Sequence, residues 1–207
     1  MIRTLHRSLA IALGLFILLH LSTHLFALAG PEAHNRALKS VQWVYRNRFV
    51  EPLLLAAIAV QIGAGLRLML RRLREPGKGF WGWAQIASGV ALGVFFVLHA
   101  SAALMARHLF HIDTNFYWPG GSLTTPPLQW WFVPYYFIGA LAVFTHVAAA
   151  LHFRFGASAL APKLLIGAGA AYGATIILTF SGAFFDFTLP DDYVRYFDYY
   201  LDQLGLK

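Results

Sequence analysis

The sequence predicts an all-α integral membrane protein, a single domain over residues 1–207 built as a five-helix transmembrane bundle. Three observations lead there. The chain is 58% hydrophobic and only 12% charged, well outside the composition of soluble domains. Five apolar stretches, near residues 7–29, 50–70, 82–106, 132–154 and 164–186, are each long enough to cross a hydrocarbon core of about 30 Å at about 1.5 Å per residue. Arginine and lysine gather at the ends of these stretches, as they do where a helix leaves lipid.

The elements follow in order. Arg3 and Arg7 precede the first span, which is too long for a signal-peptide core and lacks a small-residue cleavage site, so it is read as a permanent helix. Gly30-Pro31 ends it, and residues up to 49 form a first loop. The second span closes on Arg71, Arg72, Arg74 and Lys78 around the turn Glu75-Pro76-Gly77. The third runs out to Arg107, His108 and His111. Residues 107–131 then read as a long loop, punctuated by Pro119-Gly120-Gly121 and Pro126-Pro127 and carrying Trp118, Trp130 and Trp131. The fourth and fifth spans are joined by a turn flanked by Arg154 and Lys163. After Leu189-Pro190, the stretch from Asp191 to Leu204, with Tyr193, Tyr196, Tyr199 and Tyr200, is expected to lie along the surface as a short amphipathic helix.

The basic residues before the first span and around the two short turns mark the cytoplasmic side. The expected topology is therefore a multi-pass protein of a bacterial-type inner membrane, N-terminus inside and C-terminus outside. The net charge of +7 is explained by lipid headgroups and topology, and nucleic acid is excluded as a partner. There is no cysteine, which rules out disulfides, thiolate-held iron–sulfur clusters and covalent haem attachment.

His20, His99 and His146 lie inside the first, third and fourth spans. An imidazole in lipid is costly without a partner, and two facing imidazoles are suited to haem iron. His20 lies about 20 Å, and His99 about 25 Å, from the cytoplasmic ends of their helices, so both fall in the outer half. His146 and Gln61 lie about 21 Å and 17 Å from the outer face and share a deeper layer. The reading is a bis-histidine haem b between His20 and His99 and an incomplete inner site in which His146 faces Gln61. His24, one turn from His20, is an alternative ligand or a propionate partner. Arg107 and His108 lie within reach of propionates, with snorkelling an equal alternative. His6, His34 and His152 sit near span ends, where solvated structural roles are the default. Glu32, Glu51, Tyr45 and Arg48, near the outer ends of the first two spans, are the groups that a quinone could meet.

The run Ala12-Leu13-Gly14-Leu15-Phe16-Ile17-Leu18-Leu19-His20-Leu21, then Gly30-Pro31-Glu32-Ala33-His34-Asn35 and Gly65-Leu66-Arg67-Leu68, resembles the cytochrome b anchor subunit of succinate dehydrogenases and fumarate reductases, in its single-polypeptide, five-helix form. The resemblance implies one haem ligand from each of the first four helices, pairing one with three and two with four. It also implies electron exchange with quinone and partner flavoprotein and iron–sulfur subunits on the cytoplasmic side, docked on the basic turn from Arg67 to Lys78. The sequence departs on the second span, where the family's histidine falls on Gln61.

Competing readings remain at this stage. One is a stand-alone membrane haem protein, serving as a quinone-linked oxidoreductase, haem carrier or sensor, alone or as a homo-oligomer. Another is a colourless structural protein whose histidines bond backbone carbonyls. One haem is expected and a second is open.

Overall fold

The computed structural model describes residues 1–156 and 160–206. It is 82% helical, with no strand among the described residues. Five helices are long and apolar enough to span a membrane: α1 (Ile2–Leu25), α3 (Val50–Leu73), α4 (Gly79–His108), α6 (Gln129–Phe155) and α7 (Leu160–Phe180). Three shorter ones, α2 (Pro31–Tyr45), α5 (Tyr117–Thr124) and α8 (Asp191–Gln203), gather at one end. We call this the cap end, and the opposite one, with the N-terminus and the two short connections, the turn end.

Two expectations change. α1 starts at Ile2 and α4 at Gly79, several residues before the boundaries read from hydropathy, because helical hydrogen bonding continues where the chain leaves the apolar layer. His6 therefore lies inside α1 and not at its edge. The two stretches read as loops also contain helices. After the short 3-10 turn Phe26–Ala29, Gly30 takes φ +97°, a conformation that favours glycine, and Pro31 opens α2 from the N1 position. α2 buries His34, Leu38 and Gln42, spaced four residues apart along one face, and exposes Glu32, Arg36 and Lys39. Pro119-Gly120-Gly121, expected to break the chain, lies within α5. Pro119 is tolerated in the first turn. Gly121 is needed because a Cβ there would come within 2.0 Å of the Phe197 ring of α8.

The tail helix forms as expected. α8 buries Tyr193, Tyr196, Phe197 and Leu201 on one face. The Trp118 indole donates to the Tyr196 hydroxyl (3.3 Å), and the Tyr193 hydroxyl donates to the Asp113 carbonyl (2.7 Å). The result is an aromatic cap built from α5, α8 and the strap between α4 and α5.

The spans form a ring. α1 packs on α3, α3 on α4, α4 on α6 and α6 on α7, and α7 closes back onto the first segment through the 3-10 turn and a hydrogen bond from the Tyr172 hydroxyl to the Leu21 carbonyl (2.7 Å). The ring is unequal. On the α4–α6–α7 side, Gly139 faces Phe95 and Gly169 faces Phe144, at 2.3 and 2.5 Å from where a Cβ would stand, so small residues let the backbones close up. In their most apolar stretches α6 and α7 bury 28% and 22% of residues, whereas α1, α3 and α4 bury 11%, 6% and 6%. The helices that carry His20 and His99 are thus the loosely packed ones. α1 and α4 face each other across the ring with almost no close backbone approach.

Candidate functional site

His20 on α1 and His99 on α4 meet across that gap, their ring centres 6.2 Å apart and their planes inclined at 63°. Each is positioned by helix spacing. Phe16, one turn before His20, stacks on its ring (5.8 Å), and Phe95, one turn before His99, stacks on that ring (5.2 Å). Trp118 of the cap leans on His99 at 6.0 Å, and Tyr45 meets His20 edge-on at 6.4 Å. Both rings are half-buried, and Nδ1 of each is enclosed without a hydrogen-bond partner. Such orphans are rare in a folded protein and call for an explanation.

The 6.2 Å separation would suit a metal ion held between the two rings. Two imidazoles bound through nitrogen on opposite sides of one metal, at about 2 Å per bond, have ring centres about 6 Å apart. Among the described residues no group of three or more His, Cys, Asp or Glu side chains converges to chelate an ion. Two axial nitrogens suffice for haem, which brings its remaining ligands with it.

His24 is committed elsewhere. Its Nδ1 shares a hydrogen bond with His34 Nε2 (3.1 Å), and the two rings stack at 5.4 Å. His34 is 1% exposed, which corrects its reading as a solvated span-end residue. Apolar packing by Phe116 and Phe180 encloses it, and burial pushes its pKa down from 6.5 to about 4. Asn35 completes the chain: its Oδ1 meets His34 Nδ1 (3.2 Å) and accepts from the Phe116 amide (2.9 Å). The first connection is thereby tied to the cap.

Arg107 and His108 are held at the cap end of α4. The Arg107 guanidinium donates to Glu51 Oε1 on α3 (2.6 Å) and to His108 Nε2 (3.2 Å), leaving its Nε enclosed and unpartnered. One guanidinium nitrogen, Nη2, makes both contacts. The proposed quinone neighbours divide. Tyr45 lies beside His20, and burial raises its phenol pKa, whereas Glu51 is held by Arg107. Glu32 is exposed, 3.7 Å from Arg36, and Arg48 covers the Phe49 ring.

At the turn end His146 on α6 lies against α4, where its Nδ1 meets Ser88 Oγ (3.1 Å) and its Cε1 is 3.3 Å from where a Gly89 Cβ would stand. His6 of α1 lies at the same end, its Cε1 3.3 Å from where a Cβ on Gly65 of α3 would stand. His6 was missed because counting depth from Arg7 put it outside the membrane. The signal was present as its spacing of 14 residues from His20, a multiple close to whole helical turns. His152 stacks on Trp81 (4.8 Å) at the edge of the bundle.

No protein-family model matches the chain, and neither does any curated protein or solved structure.

Proposed function

We propose that this protein is a membrane cytochrome b that holds haem b between His20 and His99 and exchanges electrons with a membrane quinone, as the anchor subunits of succinate dehydrogenases and fumarate reductases do. The observation that carries the reading is the meeting of the two imidazoles at 6.2 Å across helices that otherwise stand apart. Haem would supply one-electron redox chemistry. The chain would hold it through the His20 and His99 imidazoles, with Phe16, Phe95 and Trp118 packed against those rings as an apolar surrounding that would tune its potential. At the cap end Tyr45, Glu51 and Arg107 offer hydrogen bonds and proton exchange to a quinone head group.

On this reading the N-terminus is cytoplasmic. The turn end, with Arg67, Arg71, Arg72, Arg74 and Lys78, is where a soluble flavoprotein and iron–sulfur pair would dock. Gln61, standing where the family has a histidine, favours a second version in which the same haem protein works without dehydrogenase subunits.

Pyridine haemochrome quantitation on the purified chain, expressed with haem supplied, tests the reading. It expects haem in the wild type and the loss of one component of the reduced-minus-oxidised spectrum in His99→Ala. Colourless wild-type protein overturns it. Co-purification of flavin and iron–sulfur subunits separates the anchor from the stand-alone version.

A further inference from the structure

Positive charge at the turn end is left without a counterpart in the chain. Among the described residues the one carboxylate there is Glu75, and Arg72 already holds it in an ion pair. Arg67 and Arg71 of α3 have no ion-pair partner among the described residues. Their four-residue spacing puts both guanidinium groups on one face of the helix, about 6 Å apart along its axis. Arg67 stands six residues before α3 ends at Leu73, about 9 Å in from that end. A side chain at that depth reaches back toward the headgroup level of a membrane.

The two arginines border a recess and not a flat surface. It measures about 270 Å³ and is lined by Met1 and Ile2 on the α1 side and by Arg67 and Arg71 on the α3 side. One wall is therefore apolar and the other cationic. Next to it, deeper along the same two helices, Leu5, Leu66 and Leu70 are exposed, and α1 and α3 bury only 11% and 6% of their most apolar stretches. The flanks of the recess are thus open to lipid. A cationic notch at the membrane surface with apolar side chains running inward from it matches a phosphate that carries acyl chains. A headgroup with its own ammonium would bring further positive charge to two guanidinium groups, whereas a glycerol headgroup brings none.

We propose that the recess between the start of α1 and the end of α3 is a binding site for an anionic phospholipid, whose phosphate Arg67 and Arg71 hold while its acyl chains lie along Leu5, Leu66 and Leu70. The planar donor forks of two arginines match phosphate oxygens in pairs. Bound there, the lipid bridges two sparsely buried spans and supplies the negative charge that the chain lacks at this end. A soluble partner on the turn end would then sit over a bound lipid. The site makes no use of haem and needs only that the five helices span a membrane.

Native mass spectrometry of the full chain in a neutral detergent, titrated with phosphatidylglycerol and separately with phosphatidylcholine of the same acyl chains, tests it. The wild type is expected to retain one phosphatidylglycerol in preference to phosphatidylcholine. The double variant Arg67→Gln/Arg71→Gln is expected to bind it about 30-fold more weakly, at about fivefold per arginine. Arg74→Gln/Lys163→Gln removes the same charge outside the recess and should leave that affinity largely unchanged. Ile2→Trp fills the recess with both arginines in place and should weaken binding too; the arginine variants decide the matter if it misfolds. Equal weakening by the two charge-matched doubles, or equal affinity for the two lipids, overturns the site. Displacement of the lipid by an equal concentration of inorganic phosphate assigns the recess to a free anion and overturns it as well. So does unchanged lipid binding in Arg67→Gln/Arg71→Gln combined with loss of a co-purifying soluble subunit, which assigns the arginines to a protein. None of these outcomes alters the haem content expected above.

Discussion

Acid should loosen the junction between α1 and α2 through one residue, His34. Its imidazole is 1% exposed, and burial lowers its pKa from 6.5 to about 4. The unfolded chain therefore takes up this proton at a higher pH than the folded one. The stabilisation from keeping His34 neutral is complete above pH 6.5, shrinks as the pH falls, and is gone below about 4. At about 1.4 kcal/mol per pH unit, the loss reaches about 2.5 kcal/mol by about pH 4.5. That is a large part of the 5–15 kcal/mol by which a typical fold is stable. The assay is thermal or denaturant unfolding of the detergent-solubilised chain at about pH 7.5 and pH 4.5, wild type beside His34→Gln. Glutamine offers hydrogen bonds to Asn35 and His24 but does not titrate. Every other titratable group is present in both proteins, so the difference isolates His34. Equal acid destabilisation of the two proteins would refute the argument.

Gly139→Ala would place a methyl 2.3 Å from the Phe95 ring, and a loss of about 1–3 kcal/mol is expected; Gly14→Ala, with nothing within 4 Å, should be neutral, and thermal midpoints compare them. Arg107→Ala strands the Glu51 carboxylate, whose side chain is 24% exposed, at about 1–3 kcal/mol. Adding Glu51→Gln should recover most of that loss in the same unfolding assay. Trp118→Phe removes the indole donor to Tyr196 and should cost about 0.5–1.5 kcal/mol. Tyr196→Phe should cost a similar amount and the double variant little more, which a double-mutant cycle reads directly.

The five spans were legible because each exceeds the length that any other apolar segment needs, and the membrane leaves helices few alternatives. The meeting of His20 and His99 was legible for the same reason: depth along a straight helix is simple arithmetic. What failed lies at the edges. α5 carries Pro119-Gly120-Gly121, which local rules read as a break; only Phe197 of α8, 78 and 76 residues from Pro119 and Gly121, explains why a helix with no Cβ at Gly121 is the shape that fits. α2 was legible in principle from His34, Leu38 and Gln42 at four-residue spacing, but its polar outer face hid it among loops. His6 was lost to a boundary error of five residues, since α1 begins at Ile2 and not near Arg7. The contact of His146 with Ser88 depends on helix rotation, which depth alone does not report.

The unequal ring also bears on how the protein is made. The hairpin of α1 and α3 leaves the ribosome first, yet both of its spans are far less buried than α6 and α7, and the bond that ties α1 into the ring comes from Tyr172, 151 residues later. The early hairpin must therefore wait in the lipid, open on its inward side, until the glycine-notched α4–α6–α7 half arrives behind it. That interval is when its inward side is most accessible, so conditions during synthesis, rather than after it, should govern how much of the chain survives quality control.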